Sequence, residues 1–226
     1  MESRDPLSAV PIRERLLFLC GIIAPLLFVG LAILGGALRP GYSHLTDTVS
    51  ELFSPGSPNK LWLDVLHTTY TLLLVLFSIG VLQFVRRSGR STAPSVVGAV
   101  LFMAMALLTV TTATVFPQDP WGSPPTFPGE MHKIVSGVLS LLGLPAMVLL
   151  GTWLQRTGIF PGFRIYSWIT VVVVALAAGF FMAQQGTPLM GLAERITILA
   201  GQQWTFMLAL KMYTRSKLRG AGAAHP

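Results

Sequence analysis

Six long apolar stretches, with the charges between them sorted to opposite sides, limit what this chain can fold into. The uncharged runs cover residues 16–38, 68–85, 91–116, 134–155, 165–193 and 196–210. A helix that crosses a bilayer needs roughly 20 mostly apolar residues. The fifth run is too long for one helix, and Gln184-Gln185-Gly186-Thr187-Pro188 supplies the residues of a turn within it. The sixth helix is therefore expected to begin near Pro188, with Glu194 and Arg195 inside its span. If every stretch crosses, 12 of the 16 Lys and Arg fall on one side, and only Arg39, Lys60, Lys133 and Arg195 on the other. That asymmetry is the positive-inside pattern and predicts both termini in the cytoplasm.

The expected fold is thus all-α: a polytopic membrane protein, a bundle of six transmembrane helices with cytoplasmic termini. The helices are expected at about 16–38, 60–85, 92–116, 131–155, 164–184 and 188–211, within a domain of residues 15–213. A tail at 1–14 and a basic tail at 214–226 flank it on the cytoplasmic side.

Composition removes several classes. Only 11% of the residues are charged, against about 25% in a soluble domain. The net charge of +7 does not indicate nucleic acid, because the basic residues sit in short groups beside helix ends, such as Arg86/Arg87/Arg90 and Lys211/Arg215/Lys217/Arg219. Membrane lipids are the expected partners. Cys20 is the single cysteine, so no intrachain disulfide forms. The first apolar stretch exceeds a signal-peptide core and no small-x-small site follows it, so it reads as a retained helix. A bacterial inner (plasma) membrane is the expected location.

The groups able to do chemistry collect on the side opposite the basic one. Asp47, Glu51, Asp64, Asp119, Glu130 and Glu194 lie there with His44, His67 and His132. His44, Asp47 and Glu51 fall at i, i+3 and i+7, so a short interfacial helix over residues 43–53 would place them on one face. Arg195, roughly 10 Å along its helix at about 1.5 Å per residue, needs an anionic partner or a polar pocket. Glu51 is the expected partner, with Asp47 and Glu194 as alternatives. Glu51, Glu194, Arg195 and His67 are the candidate ligand-binding residues. His44, Ser50, Glu51, Asp119 and His132 are the candidate catalytic residues.

Imidazole with carboxylate is a zinc ligand set, so His44, Asp119 and His132 are the candidate metal ligands and zinc the candidate cofactor. Acid/base chemistry without metal would use the same groups. The reading favoured is an outer-face polar pocket that binds a lipid head group or small amphiphile. A membrane-embedded hydrolase or transferase acting on a lipid is the alternative. A small-solute transporter ranks third, since the inner halves of the helices read as almost purely apolar and no internal repeat stands out.

Pro40-Gly41-Tyr42-Ser43-His44, Val49-Ser50-Glu51-Leu52 and Pro55-Gly56-Ser57-Pro58-Asn59 resemble the first-loop signature of a bacterial membrane-protein family known as domain of unknown function 998. Phe116-Pro117-Gln118-Asp119, the later His132, and Gly191-Leu192-Ala193-Glu194-Arg195-Ile196 resemble its other recurrent segments. The resemblance implies a six-helix membrane protein and brings no activity with it. More distantly, the layout resembles the Frag- and DRAM-like six-helix membrane proteins of eukaryotes, some of them tied to lipid-anchor remodelling.

Overall fold

The computed structural model describes residues 11–222, with side chains to residue 216. Residues 1–10 of the expected tail at 1–14 and the basic side chains of Lys217 and Arg219 lie outside the described residues. Long helices form where the apolar stretches lie: α1 (Ile12–Ala37), α2 (Lys60–Arg87), α3 (Ala93–Thr109), α4 (Thr111–Thr114), α5 (Phe127–Arg156), α6 (Phe163–Ala183) and α7 (Met190–Gly222). The short α4 continues α3 after an interruption at Val110. Among the described residues there is no strand. Five spans, counting Ala93–Thr114 as one, are long and apolar enough to cross a membrane. The last helix is not among them, because Glu194-Arg195 and Gln202-Gln203 dilute its apolar character.

Each long helix packs on its sequence neighbour: α1 on α2, α2 on α3, α3 on α5, α5 on α6 and α6 on α7. The last also packs on the first, so the bundle is a closed ring. Edge-on aromatic contacts fill its middle, from Phe77 to Phe102 to Trp204 and from Phe18 to Phe84 to Trp153. Lipid offers no hydrophobic drive for helix association, so close approach at small residues matters. Gly21 illustrates this: a Cβ there would lie 2.4 Å from the Phe77 ring. Polar contacts also lie within the bundle. Gln202 donates to the Tyr70 hydroxyl at 2.6 Å, Gln203 donates to Thr170 at 3.2 Å, and Trp204 donates to Ser167 at 2.9 Å.

The two ends of the ring are tied differently. At the end carrying the basic groups, Arg87 pairs with Glu14. There Arg90 donates to the Thr157 carbonyl at 2.7 Å, and Trp153 donates to the Arg90 carbonyl at 2.8 Å. At the other end the first loop folds over the bundle. The expected helix over 43–53 does not form there; only a 3-10 turn, Ser50–Phe53, does. The reason is competition for the backbone: several main-chain groups of residues 44–50 bond to α7, as described below. Helix α5 begins at Phe127, ahead of the expected start, because Pro128 is tolerated in a first turn and Thr126 caps it by accepting from the Gly129 N–H.

Candidate functional site

The site is built where the first loop meets the start of α7. Gly191 allows the approach, since a Cβ there would sit 2.3 Å from the Asp47 carbonyl oxygen. The Leu192 N–H, which has no partner within its own helix, donates to the Leu45 carbonyl at 2.9 Å. The next two side chains take the rest of the loop. The buried Glu194 carboxylate accepts from the Val49 N–H, from the Ser50 N–H at 3.3 Å and from the Ser50 hydroxyl at 2.7 Å. Arg195 donates to the carbonyls of His44 at 2.8 Å, Asp47 at 2.7 Å and Gly191 at 2.9 Å. It also donates to the Tyr42 hydroxyl and, at 3.1 Å, to His44 Nδ1. A guanidinium has no acceptor, so His44 accepts at Nδ1 and carries its proton on Nε2.

Tyr42 stands at the centre of this arrangement. Its hydroxyl donates to the Thr48 carbonyl at 2.8 Å. The Arg39 and Arg195 guanidinium carbons lie 5.7 and 5.6 Å from its ring centroid. Burial pushes the phenol up to about 12, against the opposing pull of Arg195. Arg39 also donates to the Glu51 carbonyl at 2.9 Å and pairs with the Glu51 carboxylate at 3.4 Å. Glu51 is therefore the partner of Arg39. The expected Glu51–Arg195 pair is corrected, because Arg195 is taken up by main-chain carbonyls.

The remaining expected residues fall elsewhere. Asp119 accepts from the Thr126 N–H at 2.8 Å and the Thr126 hydroxyl at 2.6 Å, and lies against Gly129 at the start of α5. Those two bonds, the hydroxyl first, hold its carboxyl below the ordinary value. His132 Nδ1 bonds the carbonyls of Thr112 at 3.1 Å and Phe116 at 2.9 Å, which ties α5 to the end of α4. Asp64 pairs with Lys60 at 2.7 Å. His67 is buried between the rings of Phe53 and Tyr70. So His44, Ser50, Glu194 and Arg195 come together, with Glu51 beside them through Arg39, while Asp119, His132 and His67 do not. Among the described residues no group of three or more His, Cys, Asp or Glu is placed to hold a metal ion. The single metal site expected from His44, Asp119 and His132 is corrected by that finding: each is turned to a different partner.

Beside the clamped loop is a cleft of about 230 Å³. Thr46, Asp47 and Glu51 of the first loop line it together with Trp121, Gly186, Thr187, Pro188 and Met190. Asp47 is in none of the four ion pairs among the described residues. Its carboxylate accepts only from neutral donors, the Ser43 N–H at 2.8 Å and the Thr46 hydroxyl at 3.0 Å.

Sequence reasoning passed over Arg39 and Tyr42. The available signal was position: Arg39 is one of the few cations on that side, and Tyr42 directly follows the Pro40-Gly41 turn. Together these features describe a multi-pass helical membrane protein whose first loop is fastened to the start of its last helix. The chain belongs to the DUF998 family, whose description is a protein of unknown function, and it matches that family over residues 22–211. The matched stretch holds both halves of the fastening. Comparison with curated proteins and with solved structures gives no match.

Proposed function

We propose that this is a six-span protein of the cell membrane, with both termini cytoplasmic, that binds an amphiphile with a cationic head group at its outer face. The observation that carries this reading is the chemistry of the cleft. Asp47 offers a carboxylate with no cationic partner, Glu51 adds a carboxylate already shared with Arg39, and the exposed Trp121 offers an aromatic face. Carboxylates and an aromatic face recognise ammonium groups, and cation–π attraction contributes about 0.5–2 kcal/mol. The alkyl chain of such a ligand would lie along exposed apolar side chains near the membrane surface. The clamp of Glu194 and Arg195 has a supporting part: it fixes the loop that presents Asp47 and Glu51. Pre-ordering a binding loop lowers the entropy lost on binding.

The test is binding to purified protein in nanodiscs, with dodecyltrimethylammonium, dodecyl sulfate and a dodecyl glycoside as probes. The cationic probe is expected to bind, and Asp47→Asn and Trp121→Ala each to weaken it about 5- to 30-fold, equivalent to about 1–2 kcal/mol. Asparagine still accepts from the Ser43 N–H, so the loop keeps its form. Equal binding of all three probes, or no effect of either substitution, would sink the reading.

A further inference from the structure

A buried polar spot inside the ring, separate from the outer cleft, remains unexplained. His67 is 4% exposed and its Nδ1 has no hydrogen-bond partner. One turn further along α2, Thr71 is also 4% exposed and its hydroxyl has no partner. The ring of His67 cannot swing away to find one, because Phe53 and Tyr70 pack against it with centroids at 5.2 and 5.6 Å. The nearby Tyr70 hydroxyl accepts from Gln202 and does not bond His67.

Thr71 is unusual in a second way. A threonine within a helix commonly returns its hydroxyl to a carbonyl one turn back. Thr69 does so to Val65, Thr109 to Met105, Thr170 to Tyr166 and Thr197 to Ala193. Thr71 does not, so its own helix leaves the hydroxyl unsatisfied.

We propose that one water molecule is bound inside the bundle, bridging His67 Nδ1 and Thr71 Oγ1. Side chains at i and i+4 share a helix face, with Cβ atoms about 5–6 Å apart. The two groups do not bond directly, and a single water making bonds of about 2.8 Å spans such a gap. Buried water is bound by two to four polar groups that otherwise lack partners. The site lies beneath the 3-10 turn, with Phe53 as its lid toward the outer loop. The bound water makes the upper part of α2 depend on a polar contact that no protein group supplies.

The test rests on the sign of a stability change, read as the thermal midpoint of the full chain in detergent. Thr71→Val keeps the shape and removes the hydroxyl. If a water bridges the pair, this change strands the water and His67, and the midpoint drops by about 2–4 °C. Thr71→Ser, which keeps the hydroxyl, loses clearly less. Without a bridge, Thr71→Val removes a buried group that has no partner, and the midpoint stays or rises; that result overturns the proposal. His67→Phe is the second arm. Combined with Thr71→Val it should cost less than the two single changes together, and additive losses overturn the proposal as well. Neither arm reads binding at the outer cleft, so the amphiphile reading stands or falls separately.

Discussion

Glu194 and Arg195 divide one loop between them by hydrogen-bond polarity. An ionised carboxylate only accepts, and a guanidinium only donates. Neighbours on a helix point about 100° apart, so the two cannot grip one another well, but they can take hold of two stretches of a loop that curves around the helix start. The carboxylate takes the N–H groups of Val49 and Ser50; the guanidinium takes the carbonyls of His44 and Asp47. Arg195→Gln is expected to cost about 2–3 kcal/mol, since three charge-assisted bonds to main-chain carbonyls are lost. Glu194→Gln, which keeps one acceptor, should cost about 1–2 kcal/mol. The double change should cost less than the sum, because a released loop has little left to lose. Thermal unfolding in detergent measures all three, and strict additivity would mean the two residues act on independent structures.

The helices were legible in the sequence and the first loop was not. Apolar runs announce spans, and the Gln184 to Pro188 turn was readable from its residues. Inside the loop, His44, Asp47 and Glu51 carry helical spacing, yet spacing says nothing of a distant helix that competes for the same backbone groups. The Glu194-Arg195 pair was visible as an anomaly, and its attachment to the first loop was foreseen only in outline. Its true partners are main-chain atoms, which every residue possesses and no motif marks. The start of α5 was missed for a related reason: Phe127-Pro128-Gly129 reads as loop until Thr126 and Asp119 are seen to cap it. That cap has a pH signature. The Asp119 carboxyl is held below its ordinary value of 3.8, so its contribution is present above that pH and is lost as pH falls through the lower folded value. Wild type should therefore be more stable than Asp119→Asn near pH 6, with the gap closing as the pH falls below 3.8. A gap that persists unchanged at low pH would exclude the carboxylate as its source.

At the scale of the whole molecule, the ring of helices has its seam between α1 and α7. Charge predicts the orientation: if all six long helices cross, 12 of the 16 basic residues lie on one side, and a reporter fused at the C-terminus should be active only as a cytoplasmic reporter. A periplasmically active fusion would invert the arrangement and move the cleft to the inner face. The seam also bears on biogenesis. A chain emerging from the ribosome completes its first loop long before α7 exists, and the Glu194–Val49 contact spans 145 positions. Until synthesis reaches Met190, that loop lacks its hold on α7 and the ring stands open. The last helix is in turn the least apolar of the long helices, and it enters the bundle with its partners for Glu194 and Arg195 already waiting. Assembly of this protein thus ends on a single late event, and a chain cut short before that helix carries the earlier helices without the fastening that completes them.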